Sequence, residues 1–310
     1  MPEPILLIDT NYLCHRAYHA IGEMAYGDMG TGAVFGVLRD IVILQDFFNT
    51  TRCVFAFDKG RGYRYDLLPT YKSTRKARHA DESEEDKIAR EDFKQQIERL
   101  RRNYLPAAGF KNIFAINGLE ADDIIASIAG GLPRDEEAVI IGSDQDLWQC
   151  LRDNVYCWSP HTQRAYSLET FRKQWGIKPH QWADVKAYAG CSSDDVPGLP
   201  GVGEKTAAKY IRGELGDHTK AYAKLAAGTV LHDTNMKLVR LPFPGTPKFE
   251  FVPDEVTEEK WQALADGLGM RSIRSTAPRV AGRKSKGRKR GRQKEKGFGL
   301  DSTSGPDRTA

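Results

Sequence analysis

Short apolar runs of four to six residues alternate with longer amphipathic stretches along the first half of the chain. Ile5-Leu6-Leu7-Ile8 has no polar alternation, the pattern of a strand buried on both faces, and it runs into Asp9. A helical pattern follows. Residues 52–57 (RCVFAF) repeat the arrangement and end at Asp58, 112–116 read as a third strand, and 138–141 (AVII) as a fourth that leads into Gly142, Ser143 and Asp144. Helical periodicity falls near 32–48, 84–105 and 121–129. Strands alternating with helices predict an α/β fold, with a mostly parallel sheet covered on both faces and right-handed crossovers. From about Leu168 the pattern is helical, over 169–175, 179–189 and 204–211, which predicts a smaller helical region. Beyond Thr276 the chain is rich in Gly, Ser, Lys and Arg without periodicity, and a disordered tail is expected. No internal repeat is visible.

With 310 residues and 40% hydrophobic content the chain can build a substantial core. No stretch reaches the roughly 20 apolar residues of a membrane span, and the start, MPEPILLIDT, lacks the features of a signal peptide. An intracellular, cytoplasmic protein that does not engage membranes is expected. Five cysteines, Cys14, Cys53, Cys150, Cys157 and Cys191, are odd in number and include no CxxC pair, so reduced thiols are expected rather than a disulfide framework or zinc knuckle. The net charge of +4 hides an asymmetry: residues 279–296 hold ten Lys/Arg and one Glu, a local +9, which leaves −5 for the rest. Such a tail is either a solubilising segment or an arm for a polyanion.

Ligands collect at the carboxyl ends of strands in a parallel sheet. Asp9, Asp58 and Asp144 each stand directly after an apolar strand and are predicted to meet there. Glu120, Asp122 and Asp123 open an apolar helix, and Asp146 accompanies Asp144. Acids at a helix start are favoured by its dipole, which alone would account for 120–123. Together with the others, however, they make seven carboxylates on one rim, whose repulsion calls for cations or raised pKa values. Oxygen-only ligands suit two Mg2+ ions, with Mn2+ as a substitute, placed to clamp the attacking and leaving oxygens of a phosphoryl displacement.

Two further segments carry chemistry. Residues 196–208 (VPGLPGVGEKTAA) lack Walker spacing, because Glu204 separates Gly203 from Lys205; a tight turn into a helix, with backbone N–H groups and Lys205 on a DNA phosphate, fits better. An ordinary Gly-rich turn is the plainer alternative. Residues 68–79 (LPTYKSTRKARH), followed by the charged stretch 81–102, are suited either to gripping a single strand or to simple solvation.

In this order the segments LLIDTNYLCHRAY, TGAVFGVL, VFAFDKG, LPTYKSTR, INGLEADDIIA, IGSDQDLWQ and AYAGCSSDDVPGLPGVGEKTAAKYI resemble the 5′ nuclease family, which comprises 5′-3′ exonucleases and flap endonucleases; the resemblance covers about Ile5 to Trp261. It implies a Rossmann-like (PIN-like) core at 1–167 with a helical arch at about 69–105. A helical DNA-binding region would span 168–276, with a helix-two-turn-helix (helix-hairpin-helix-like) motif at about 184–213, ahead of the basic tail at 277–310. It further implies that Asp9, Asp58, Glu120, Asp122, Asp123, Asp144, Asp146 and Asp194 hold metal, and that Lys72 and Arg75 contact and polarise the scissile phosphate. Tyr71 would stack on a base, Arg16 contact a phosphate, and Gly201, Gly203, Lys205 and Thr206 form the DNA hairpin, whose carbonyls would also hold K+. The implied activity is structure-specific hydrolysis of DNA at a 5′ flap, nick or free 5′ end, including RNA primers on RNA/DNA hybrids. The protein would act as a monomer in replication or repair, in a bacterial or phage-infected cell. One departure stands out: the family pattern Gly-Asp-Ser-Ser-Asp-Asn reads Gly190-Cys191-Ser192-Ser193-Asp194-Asp195 here. A thiol in place of a carboxylate predicts a weakened second metal site that favours manganese. The rival readings are a non-catalytic branched-DNA-binding protein and a PIN-type ribonuclease; the latter normally lacks both the hairpin and the long arch.

Overall fold

The computed structural model describes residues 3–22, 24–60, 62–274 and 276–280. Strand β1 (Ile5–Asp9) leads directly into α1 (Thr10–Ile21), a small hairpin of β2 (Ala25–Tyr26) and β3 (Met29–Gly30), and α2 (Gly32–Phe48). After β4 (Cys53–Ala56) come α3 (Arg64–Leu67), α4 (Ser73–Ala80), α5 (Glu84–Arg99) and α6 (Leu105–Ala108), then β5 (Ile113–Phe114). The sequence continues through α7 (Ala121–Gly131), β6 (Ala138–Ile141), β7 (Val155–Ser159) and β8 (Arg164–Tyr166). The remainder is helical: α8 (Leu168–Trp175), α9 (Trp182–Ala189), α10 (Glu204–Ile211), α11 (Lys220–Ala227), α12 (Thr229–Val239), α13 (Glu258–Gly267) and α14 (Arg271–Arg274).

The main sheet has the order β5-β4-β1-β6-β7-β8 and is parallel except for β8, which runs antiparallel to β7. The unbroken apolar run of β1 has a physical reason. Leu6 and Ile8 face a cluster with Leu13, Val37, Leu38 and Trp261, while Ile5 and Leu7 face another with Ile124, Ile128, Phe171 and Trp182. β1 lies between β4 and β6, so the strand order reverses there, and a crevice opens at the carboxyl ends of these three strands. This places the ends of β1, β4 and β6, with Asp9, Asp58 and Asp144, on one rim.

The α/β class with a mostly parallel sheet agrees with the sequence reading, and the differences are local. The strands expected over 52–57 and 112–116 shorten to β4 and β5. The helix expected over 84–105 widens into a π turn at Leu100–Tyr104, just ahead of Pro106, which lacks the N–H a continuing α-helix would use. Strands β7 and β8 were not anticipated, although Val155 and Cys157 alternate in the core with Tyr156 and Trp158 on the other face. Residues up to Val280 form one compact unit, and α8 packs Phe171 and Trp175 into the same cluster as Ile5 and Leu7 without a break at 167. Ordered contacts extend past the expected start of the tail at 277, since Arg279 N donates to Gln45 Oε1 at 2.9 Å and its Nε to Asp46 Oδ1 at 3.1 Å. The rest of the expected tail, 281–310, lies outside the described residues. Among the described residues no helix is long and apolar enough to cross a membrane.

Trp261 of α13 is fully buried and donates Nε1–H to the Ile273 carbonyl at 2.9 Å, which fastens the C-terminal segment to the core. Trp261→Ala is expected to destabilise the protein by about 3–5 kcal/mol. Denaturant unfolding should show this as a lower midpoint at unchanged slope.

Candidate active site

Each acid at the rim is set by the end of a regular element. Asp9 ends β1 and caps α1, accepting from Tyr12 N at 2.9 Å. Asp58, just past β4, accepts from Ala121 N at 2.7 Å, which ties that strand end to the start of α7. Glu120 and Asp122 flank the first turn of α7, and Asp144 caps the turn after β6 by accepting from Asp146 N at 2.8 Å. Asp194 reaches the same place from the turn after α9. Asp9, Asp58, Glu120, Asp122, Asp144 and Asp194 line one cavity of about 500 Å³. Three cations share it: Lys72, Arg75 and Lys186.

Six carboxylates against three cations leave the cavity electronegative, and the titration behaviour reflects that. Burial, then Asp58 and Asp144, raise Asp9 to about 7. Burial, with Asp144 and Asp9 behind it, pushes Asp122 well above the usual carboxylate range. Asp58 and Asp194 are raised as well, chiefly by burial. Lys72 sits at the rim with Nζ 2.5 Å from Glu120 Oε1 and 3.8 Å from Asp194 Oδ1. Burial opposes its charge, but Glu120 and Asp194 outweigh burial and keep the ammonium protonated. Arg75 Nη2 donates to Asp194 Oδ1 at 3.1 Å.

Asp146 stands behind this cavity, bordering a narrower space with Glu120, Asp122 and Asp194. Its Oδ1 is buried without a hydrogen-bond partner, with Lys186 Nζ 3.4 Å away, and burial followed by Asp144 raises the group to about 7. Ligand atoms of Asp146, Cys191 and Asp194 lie within 4.8 Å of one another. Cys191 Sγ also contacts Ser193 Oγ at 3.0 Å. A buried acceptor without a hydrogen bond, only loosely paired with Lys186 and beside raised carboxylates, fits a site that would hold a further cation.

Three expected assignments take a different place. Asp123 is fully buried and faces away from the cavity. Its two oxygens receive Arg64 Nη1 and Nη2 at 2.7 and 2.8 Å, Glu120 N at 3.1 Å and Phe243 N at 2.8 Å, so it is a structural carboxylate with its acceptor sites filled rather than a metal ligand. Tyr71 is 2% exposed, its hydroxyl donating to Glu120 at 3.1 Å and its ring against Tyr65, so it offers no face to a base. Arg16 is engaged by Asp40 at 2.5 Å on the neighbouring helix and does not line the cavity. Of the expected hairpin residues, Gly201, Gly203 and Lys205 are exposed and Thr206 is half-buried at the start of α10. The turn before them seats closely on α9, for a Cβ at Gly198 would lie 2.0 Å from the Ala189 carbonyl.

Sequence reasoning missed Arg64 and Lys186. Lys186 lies between Asp146 and Glu204, whose Oε1 is 3.0 Å from Nζ, and it links the acids to the start of α10. A lysine within the apolar helix WADVKAYA was the available signal. Nothing near Arg64 in the sequence marks its partner 59 positions away.

Comparison with known proteins adds an independent line. A family model described as the 5′-3′ exonuclease N-terminal resolvase-like domain matches residues 4–176. The 5′-3′ exonuclease of Bacillus subtilis (strain 168) is 32% identical over 218 residues, 67% of this chain and 69% of that one. A T5 protein crystallised with metal ions shares 25% identity and superposes with a TM-score of 0.66 over 77% of this chain and 90% of its own. The bacteriophage T5 flap endonuclease in a complex with DNA and metal ions shares the fold, with a TM-score of 0.64 and 22% identity over 88% of this chain and 97% of its own.

The raised carboxylates determine a pH response. Asp9 and Asp146 have folded pKa values of about 7, above the unfolded 3.8, so without metal their contribution to stability is complete below about pH 4 and lost as pH rises through 7. In chelator, the melting temperature should therefore fall between pH 5 and 8, and added Mg2+ should raise it more at pH 8 than at pH 5.5. Asp123→Asn is expected to cost about 3 kcal/mol, because it takes the bidentate carboxylate from buried Arg64 and leaves it only the longer contact with Glu120 at 3.7 Å. Asp122→Asn should leave chelated protein as stable as the parent or more so, and the pair compared by denaturant unfolding separates the two adjacent acids.

Proposed function

The chain belongs to the 5′-3′ exonuclease family, a group of metal-dependent nucleases of the exonuclease and flap endonuclease type, and on that premise we propose that its cavity cleaves phosphodiester bonds of DNA near 5′ flaps, nicks and free 5′ ends. The observation that carries this reading is the convergence of six carboxylates with Lys72 and Arg75 around one opening at the strand-order reversal. Asp9, Asp58, Glu120, Asp122, Asp144, Asp146 and Asp194 hold two divalent ions, Mg2+ with Mn2+ as a substitute. When bound, such ions supply Lewis acidity that lowers the pKa of an attacking water and offsets charge on the phosphoryl oxygens.

The chain's own groups do the rest. Lys72 and Arg75, now on Glu120 and Asp194, exchange these carboxylates for the scissile phosphate and stabilise its charge as the bond breaks. The N–H groups at the start of α10, with Lys205 and Thr206, hold a phosphate farther along the duplex, and the exposed backbone at Gly201 and Gly203 permits its close approach. The hairpin carbonyls would also hold a K+ ion, which would supply positive charge beside that phosphate. Arg16 reaches a phosphate by leaving Asp40. The nuclease core spans 1–167, the arch about 69–105 and the helix-two-turn-helix about 184–213; the protein acts as a monomer and accepts an RNA 5′ segment on DNA. Phe93, Gln96 and Leu100 are buried, so it is the region around α4 and the start of α5 that is free to act as the arch.

Cleavage of a 5′-labelled flap duplex in Mg2+ and in Mn2+ tests this assignment. Asp122→Asn and Asp146→Asn should abolish cleavage while sparing DNA binding, and near-parental rates in either would sink the two-ion reading. Lys72→Ala should lower kcat by about 10²–10³ with a smaller change in affinity. Cys191→Asp should lower the metal concentration needed for half-maximal rate and shift the preference from Mn2+ toward Mg2+. Tight flap binding without cleavage in either metal would make the protein a non-catalytic binder of branched DNA.

A further inference from the structure

Helix α4 begins immediately after Lys72 and carries Arg75 in its first turn, yet no side chain of its own neighbourhood caps it; locally only the Thr70 carbonyl helps, accepting from Ser73 N at 3.0 Å. Lys72 holds the N-cap position at φ 51° and makes no side-chain cap hydrogen bond. An uncapped first turn leaves N–H groups without acceptors and frays readily. The acceptor arrives from 121 positions along the chain: Asp195 Oδ2 accepts from Thr74 N at 2.7 Å, and Oδ1 accepts from Thr74 Oγ1 at 2.5 Å. Ser73 Oγ donates to Oδ2 at a longer 3.5 Å. Beside this, Lys72 N donates to the Asp194 carbonyl at 2.9 Å.

The turn that carries Asp195 is itself fixed. Cys191 and Val196 exchange both backbone hydrogen bonds, each at 3.0 Å, and Asn235 Nδ2 donates to the carbonyls of Ala187 and Pro197 at 2.8 and 2.6 Å. Asp195 has φ 55°, a conformation that Gly, Asn and Asp adopt more readily than other residues. It does not line the cavity, so it sits outside the set of acids gathered there.

We propose that Asp195 is a positioning residue for cleavage, a cap supplied across the fold that holds the first turn of α4 so that Lys72 and Arg75 stand over the carboxylates. The same turn leads within three residues to Gly198, so the base of the arch is fastened to the segment that seats the DNA hairpin. The proposal rests on the reading of Lys72 and Arg75 as phosphate-contacting groups.

Three variants of the full chain separate the cap from its side effects. Asp195→Asn keeps an acceptor oxygen and tolerates the positive φ, Asp195→Gly keeps the backbone conformation but removes the acceptor, and Asp195→Ala loses both. Two readouts apply: hydrogen exchange of the amides in 73–76 without DNA, and kcat and KM on a labelled flap. Loss of a cap predicts that Asp195→Gly exchanges about fivefold faster at the Thr74 amide, which Asp195 holds, and loses about fivefold in kcat, with KM changed by less than about twofold. Asp195→Asn should stay near the parent in both, and Asp195→Ala should match or exceed the loss in Asp195→Gly. A parent chain that leaves the flap uncut refutes the nuclease assignment. A parent that cuts, with Asp195→Gly unchanged in both readouts, refutes the cap alone, as does an Asp195→Asn that falls as far as Asp195→Gly.

Discussion

The repulsion among buried carboxylates at the strand-order reversal is the constraint around which the rest of the site is arranged. Asp9, Asp58, Asp122 and Asp144 are held close by the ends of three adjacent strands and one helix, positions fixed by the sheet and not adjustable by side-chain rotation alone. Burial and neighbouring acids raise Asp9, Asp58 and Asp122, because ionising one carboxylate in this crowd is opposed by the others. The chain accepts this local cost because a large two-sided core supports the sheet beneath. It offsets part of it with Lys72, Arg75 and Lys186, each from a different segment.

Adjacent acids on α7 show how closely the fold distinguishes roles. Asp122 faces the cavity, and Asp123, one position on, enters the protein, where a bidentate Arg64 and two backbone amides complete its hydrogen bonding. Arg64 also donates Nε–H to the Leu238 carbonyl at 2.6 Å, so one buried ion pair joins α3, the start of α7 and the end of α12. Desolvation opposes the attraction within such a buried pair, so the pair adds little net stability even though removing one partner is costly. Here that arrangement sets the position of Glu120, whose amide is held by Asp123 and whose carboxylate receives Lys72.

The parallel sheet and the acids on its rim were legible because they follow from local pattern: an apolar run ending in an acid leaves the acid at a strand end, and strand ends converge in a parallel sheet. The distinction between Asp122 and Asp123 was not legible, for it depends on Arg64 far away in sequence. Tyr71 misled for a similar reason. In sequence it belongs to a basic stretch suited to nucleic acid, but in the fold its ring packs beside Tyr65 and near Ala187 and Leu238, and its hydroxyl finds Glu120. Lys186 could have been suspected, since a lysine on an otherwise apolar helix face needs acidic partners, but which acids these are is settled only by packing.

The positions of the cations connect the resting arrangement to the working one. Lys72 contacts Glu120 at 2.5 Å, and Arg75 contacts Asp194 at 3.1 Å. Divalent cations at the acids would compete with both contacts, since each carboxylate has limited capacity and the ions carry more charge. Cations held by these acids would therefore weaken the hold on Lys72 and Arg75 and leave both groups available to another anion. The same argument applies on the other side of the cavity, where Lys186 is shared between Asp146 and Glu204 and can shift toward Glu204 as Asp146 is taken up. The basic groups of the site are thus held on its own acids, Lys72 on Glu120, Arg75 on Asp194 and Lys186 between Asp146 and Glu204, so whatever neutralises those acids would loosen the basic groups with them.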